Sequence, residues 1–134
     1  MAEEIALEIA TPEAELVSEK VSEVQVPASN GYLGILPGHA PLVGTLGTGA
    51  LSYKVGSSRR YLAVQGGFIE ILPEHVRILA NVAELAEDID AGQARADLEK
   101  AQHQIAKPDQ DSQAALDALA LAQARVAAAE HASH

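Results

Sequence analysis

The apolar residues of this chain change period once, near Glu87, and no single kind of secondary structure satisfies both sides of that change. Before it, Ile5, Leu7 and Ile9 alternate, as do Val24 and Val26, Leu51, Tyr53 and Val55, Leu62 and Val64, and Val76 and Ile78. A period of two places every second side chain on one face of a strand. Between these runs stand turn signals at Asn30-Gly31, Pro37-Gly38, Gly47-Thr48-Gly49, Gly56-Ser57-Ser58, Gly66-Gly67 and Pro73-Glu74, too close together to admit an ordinary helix. The first part is therefore predicted to be an all-β sandwich or barrel of eight to ten short strands over about 85 residues.

Composition changes at the same place. Nine of the ten glycines, five of the six prolines and all four aromatic residues precede Asp88, and fifteen alanines crowd the forty-seven residues after Glu87. Alanine is the best helix former, whereas glycine and proline punctuate turns. In the second part Ala91, Ala94, Leu98, Ala101 and Ile105 keep the 3-4 spacing of one helical stripe. Asp90 and Gln93 have the spacing of a capping box, and Pro108 in Lys107-Pro108-Asp109-Gln110 is expected to end the helix. Asp111 or Ser112 then caps a second helix with the stripe Leu116, Leu119, Gln123 and Val126, and the short connection makes the two helices antiparallel neighbours. The expected division is a sandwich over residues 1–87 and a two-helix hairpin over 88–134. Because the hairpin seam is mostly alanine, the hairpin is expected to be marginal alone and to lie on the sandwich or on a partner, although an alanine face also permits simple close packing.

Charge and residue content narrow the function. Nine Lys and Arg against nineteen Asp and Glu give a net charge of −10, which repels nucleic acid and anionic lipid. Without cysteine there is no disulfide and no thiolate chemistry. Met1 to Ile9 carries Glu3, Glu4 and Glu8 and lacks the pattern of a signal peptide. The stretch 114–129 is interrupted by Asp117, Gln123 and Arg125 and is too weakly apolar to span a bilayer, so no direct lipid anchor is expected. No nucleophile elbow, H-E-x-x-H, phosphate-loop lysine or calcium loop is present, and the chain is not expected to be an enzyme. Gly44 to Gly49 reads as a strand-connecting turn rather than a phosphate cradle, and Gly66-Gly67 as a tight turn in preference to a bulge. His131 and His134 read as a frayed polar end rather than a metal site.

One segment exceeds ordinary turn chemistry: Gly31 to Leu42, with three glycines and two prolines around a single histidine. It is either a proline-braced hairpin or a rigid tip presenting an exposed imidazole to a partner. A free-standing sandwich that binds a small ligand is the competing reading, and the scarcity of aromatics speaks against a sugar platform.

Four stretches in order, Gly34-Ile35-Leu36-Pro37-Gly38-His39-Ala40-Pro41-Leu42, Val64-Gln65-Gly66-Gly67-Phe68-Ile69-Glu70, Val76-Arg77-Ile78-Leu79-Ala80 and Ala83-Glu84 through Asp88-Ile89-Asp90, make the chain resemble the epsilon subunits of bacterial and chloroplast F-type ATP synthases. The resemblance implies a ten-stranded β-sandwich followed by an antiparallel helical hairpin. It implies a non-catalytic central-stalk subunit that binds the gamma subunit, rests on the c-ring and couples ion-driven rotation to ATP synthesis. It places the chain peripherally on the cytoplasmic face of the bacterial inner membrane. The c-ring contact would fall on Asn30, Gly31, Tyr32, His39, Ala40, Pro41 and Leu42, with Tyr32 where some relatives carry a carboxylate. The hairpin would fold beside the sandwich or extend toward the alpha and beta subunits and limit hydrolysis. In some relatives ATP holds the folded form through a motif that here falls on Ile89, Asp90, Gln93 and Ala94, together with second-helix arginines, of which only Arg125 has a counterpart. Gln93 stands in an arginine's place and supplies neither its charge nor its fork, so no cofactor is expected and ATP binding should be weak or absent.

Overall fold

The computed structural model describes residues 4–107 and 112–132. Seven strands come first: β1 (Ile5–Ala10), β2 (Glu15–Val21), β3 (Glu23–Ala28), β4 (Gly31–Ile35), β5 (Leu42–Val55), β6 (Ser58–Leu72) and β7 (His75–Leu85). They hydrogen-bond in the order β2-β1-β7-β6-β5-β3-β4, with β1 and β7 parallel and every other pair antiparallel. The wing β1–β2 attaches to the first half of β7, and the wing β3–β4 chiefly to the second half of β5. Folding the long strands across their middles brings the wings face to face. The resulting core draws on all seven strands, among them Ile5, Val17, Val24, Ile35, Leu51, Leu62, Ile71 and Ile78.

The strand count of eight to ten, and the ten implied by resemblance, becomes seven because β5, β6 and β7 each run through both layers without a break. The sequence signals at Gly47-Thr48-Gly49 and Gly66-Gly67 are not turns but the level at which those strands bend. The ladder skips the row Gly47, Gly66, Asn81 while register is kept on either side. There the positions of β6 that enter the sandwich core change from even, Leu62 and Val64, to odd, Ile69 and Ile71. Gly66 and Gly67 adopt φ of 71° and 127°, open to glycine and strained for other residues. The remaining signals, at residues 30–31, 37–38, 56–58 and 73–74, lie at connections between strands, as read.

Tyr53 shows how tightly the core closes around a polar group. It is buried, and its hydroxyl donates to the Glu19 carboxylate at 3.0 Å. Burial first and this hydrogen bond second push the phenol up to about 12.

After β7 a single 3-10 turn, Ala86–Asp88, leads to α1 (Ala91–Ala106) and α2 (Gln113–Ala132). Asp90 caps α1 by accepting the Gln93 amide at 3.0 Å, as its spacing predicts. The reciprocal half of the box is absent, because the Gln93 side chain donates to Asp97 instead. Ser112 accepts the Ala115 amide and caps α2. The stop at Pro108, the alternative cap Asp111 and His134 lie outside the described residues.

The stripe assigned to α2 is corrected. Leu116 and Gln123 are exposed, whereas Ala122, Ala124, Ala128 and Ala129 are buried. The helix lies between two surfaces, so it needs two small-residue faces rather than one apolar stripe. Ala124 and Ala128 join Ala63 on β6, while Ala115, Ala118 and Ala122, about a third of a turn around the axis, face α1. Alanines in register on the strands, Ala50 opposite Ala63, let the helix approach closely. The hairpin is light between its own helices, where a groove of about 350 Å³ remains. His131 is not frayed: it lies within α2 and stacks on Tyr61, with ring centroids 3.9 Å apart and planes 8° from parallel.

Candidate functional site

Three surfaces carry residues with more to do than fill a core. The first surrounds the β3–β4 turn. Asn30, Gly31, Tyr32 and Leu42 line one groove of about 480 Å³ with Val43, Gly44 and Thr45. Gly31 makes the turn with φ 127°, and the Ser29 amide donates to the Thr45 carbonyl at 3.0 Å, holding the turn against β5. Tyr32 is 63% exposed, yet its ring has a fixed direction, because its hydroxyl accepts the Ala50 amide at 3.1 Å over the bare backbone of Gly49. A Cβ at residue 49 would stand 2.5 Å from that hydroxyl, so the glycine is what admits the ring. Tyr32 thus presents an aromatic edge where a carboxylate would present charge.

His39, Ala40 and Pro41 do not join that groove. They lie in the connection between β4 and β5, where the Gly38 amide donates to the Pro73 carbonyl at 2.8 Å and fastens this loop to the β6–β7 turn. The histidine is half-buried rather than fully exposed. Its Nδ1 lies 2.7 Å from the Ala40 carbonyl. A carbonyl only accepts, so Nδ1 carries the proton in this bond, and in the neutral ring Nε2 is left as an acceptor for an outside donor.

The second surface is the outer face of the layer built from the first half of β5, the second half of β6 and the first half of β7. Register brings Thr45, Phe68 and Leu79 into one row and Val43, Glu70 and Arg77 into the next. Val43 is 75% exposed, Phe68 65% and Leu79 49%. Arg77 donates to Glu8 at 3.0 Å and borders the patch with charge. An apolar centre with a polar rim is the anatomy of a protein interface. The outer face of the other layer is covered by α2, whereas no described residue of the hairpin belongs to the lining of this one.

The third surface lies where α1, α2 and β7 meet. Ile89 and Ala94 are buried in the alanine cluster, and Asp90 is engaged as a cap. Gln93 donates through Nε2 to Asp97 Oδ1 at 2.9 Å. Arg125 then bridges two carboxylates, Nη1 to Asp97 Oδ2 at 3.2 Å and Nε to Glu84 Oε1 at 2.9 Å. The Glu84 hydrogen bond is foremost in raising the Arg125 pKa. Of the five residues assigned to this site, the structure links Gln93 and Arg125 through Asp97, with Gln93 Nε2 and Arg125 Nε and Nη1 each already holding a carboxylate oxygen.

The β-sandwich-domain model of the ATP synthase delta/epsilon chains matches residues 4–86, more than half of the chain. The chain belongs to the ATP synthase delta/epsilon family. It is 54% identical over 132 residues to an ATP synthase epsilon chain of Solibacter usitatus, covering 97% of this chain and 98% of that one. With an epsilon chain of Koribacter versatilis the identity is 43% over 105 residues, covering 78% and 74%. As an epsilon-type chain it is a non-catalytic subunit of that complex. Among solved structures, a chain in the Euglena gracilis mitochondrial ATP synthase, OSCP/F1/c-ring, superimposes with a TM-score of 0.78 at 25% identity, over 100% of this chain and 84% of that one. A chain from the Tetrahymena thermophila central stalk and c-ring shares the fold, with a TM-score of 0.56 at 16% identity over 99% and 100%.

Within this delta/epsilon fold, sequence reasoning missed Val43, Phe68 and Leu79 as a patch and Glu84 and Asp97 as partners of Arg125. The patch had a signal: Phe68 and Leu79 each adjoin a buried residue of their own strand and so break the alternation. The carboxylates had none, because residues 84, 97 and 125 meet only through the packing of three elements. Among the described residues no helix is long and apolar enough to cross a membrane.

Proposed function

We propose that this chain is a rotor subunit of the central stalk of a bacterial F-type ATP synthase, bound peripherally on the cytoplasmic face of the inner membrane. Its apolar outer face seats on the gamma subunit. Its tip, Asn30 to Leu42, rests on the polar loops of the c-ring, so that ion-driven rotation passes through the sandwich to gamma and supports ATP synthesis. The observation that carries this reading is the Val43, Phe68 and Leu79 patch, left bare while the opposite face is covered by the chain's own helix. A soluble chain rarely leaves such a patch without a partner. At the tip, the division of residues fits two kinds of contact: Tyr32 and Leu42 offer apolar area around one groove, and His39 Nε2 offers an acceptor beyond it. The test is native mass spectrometry of detergent-solubilised membranes with this chain tagged. Recovery of one copy with gamma, alpha, beta and the c-ring supports the reading, and recovery of the chain alone from a soluble fraction refutes it.

Residues 1–87 and 88–134 act in this reading as two units, the second regulatory. The hairpin rests on the sandwich through small residues, and it would reach the alpha and beta subunits only by leaving that surface. Its second helix offers such partners little basic charge, with Asp117 and Glu130 beside Arg125. Removing residues 88–134 is therefore expected to change ATP hydrolysis by the assembled complex less than about twofold. A several-fold rise in steady-state hydrolysis would contradict this. ATP itself is expected to bind weakly or not at all, because Gln93 is spent on Asp97 and Arg125 on two carboxylates. Isothermal titration calorimetry should give no Kd tighter than about 100 μM.

A further inference from the structure

Arg125 stands at the junction of three elements. One side of its guanidinium holds Asp97 of α1, and the other holds Glu84, whose position on β7 is opposite Ala63 in the row that α2 covers. The arginine side chain is 21% exposed, against 34% for Glu84 and 43% for Asp97, so the Glu84 pair is the better shielded of the two. Gln93 fixes the second oxygen of Asp97, so the carboxylate is oriented from behind. Around this junction the hairpin meets the strands mainly through alanines, which offer little area apiece and no direction. Gln65 adds a hydrogen bond from β6 to the Asp117 carbonyl at 2.8 Å.

We propose that the Glu84–Arg125–Asp97 bridge is an electrostatic latch that holds the hairpin on the sandwich with the chain's own carboxylates, so that release is governed by ionic strength and not by an anionic nucleotide. The two halves of the bridge have separate duties. Asp97 travels with Arg125 when the hairpin moves as a unit and keeps the two helices together. Glu84 stays on the sandwich, and its contact is the one broken on release. An arriving phosphate would have to displace both carboxylates and would meet their charge as repulsion. A monovalent salt weakens the same contact by screening its partners once they begin to part. The latch rests on the proposed departure of the hairpin from the sandwich, and it operates in the full chain alone.

The chain has no cysteine, so spin labels at Ser57→Cys, in the β5–β6 turn, and Gln102→Cys, on the exposed side of α1, report the hairpin position without touching the latch. At low salt, pulsed dipolar distances should form one narrow population. Glu84→Gln should raise the displaced population about fivefold, a figure reduced for the partial exposure of the pair. Raising salt to about 0.5 M should do the same to the parent chain and add little to Glu84→Gln. Asp97→Asn, which leaves the Glu84 contact in place, should displace the hairpin less than Glu84→Gln. ATP at about 1 mM should move neither distribution. The latch is overturned if Glu84→Gln matches the parent chain, if Asp97→Asn displaces the hairpin as much as Glu84→Gln, or if ATP restores the docked population. Far-UV circular dichroism separates release from melting: a latch changes the place of the helices and keeps their helicity, so loss of helix in Glu84→Gln would also overturn it.

Discussion

Gly67→Ala lowers the melting temperature of the isolated full-length chain by about 10 °C or more, the largest effect expected of any single methyl group added to this fold. Two costs act together. The residue sits at φ 127°, where an L side chain is strained, and a Cβ there would press into the Leu79 carbonyl and stand 3.0 Å from the Ala80 Cα. Backbone strain of this kind costs about 1–3 kcal/mol, and overpacking against backbone that cannot move aside costs about as much again. Backbone cannot rotate away as a side chain can, and β7 is pinned on its far side by β1. Gly34→Ala is the control: nothing lies within 4 Å of a Cβ there and its φ is unremarkable, so the melting temperature should move by only a degree or two. Calorimetry of the two variants decides the matter, and equal melting temperatures would remove the bend at Gly66-Gly67 from its place in the fold.

With gamma seated on the bare patch as proposed, Phe68→Glu is expected to weaken its capture at least about 100-fold while leaving the isolated chain folded. The ring is the centre of the bare patch and 65% exposed, so the folded chain loses little when it is replaced. At an interface the same ring would be an anchor, worth about 1.5–3 kcal/mol of apolar burial, and the introduced carboxylate would be desolvated without a partner. Each 1.4 kcal/mol is about tenfold in affinity, so the two contributions together exceed two orders of magnitude. Surface plasmon resonance against purified gamma, with circular dichroism for the fold, provides the measurement. Leu116→Glu on α2 is the comparison, since that leucine is also exposed but stands on the hairpin. Equal losses from Phe68→Glu and Leu116→Glu, or none from Phe68→Glu, would move gamma to another surface.

These two residues adjoin in sequence, and they mark where reading the sequence succeeds and where it stops. The apolar alternation at Ile5, Leu7 and Ile9, at Val24 and Val26, and at Val76 and Ile78 identified strand faces that are buried in the structure, because period two is a property of the extended backbone itself. Asp90 and Gln93 located the start of α1 to the residue, since a cap is a contact between near neighbours. The same local reasoning failed at Gly47 and Gly66-Gly67. A glycine that lets a chain turn back and one that lets three strands bend together look alike until the neighbouring strands are in place. Likewise α2 showed no single stripe because it packs on two surfaces, and which alanines face strands or helix depends on how the hairpin lies.

The amino-acid order by itself determined the two kinds of structure, the change from one to the other near Glu87, the cap of the first helix and the acidic, cysteine-free character of the chain. These follow from periodicity, propensity and charge, all carried by residues close together along the chain. Tertiary structure alone decided that three strands serve both layers, that Val43, Phe68 and Leu79 form one bare patch, and that Glu84, Asp97 and Arg125 meet. The physical reason is sequence distance: a contact between residues tens of positions apart exists only after the core has fixed where each element lies.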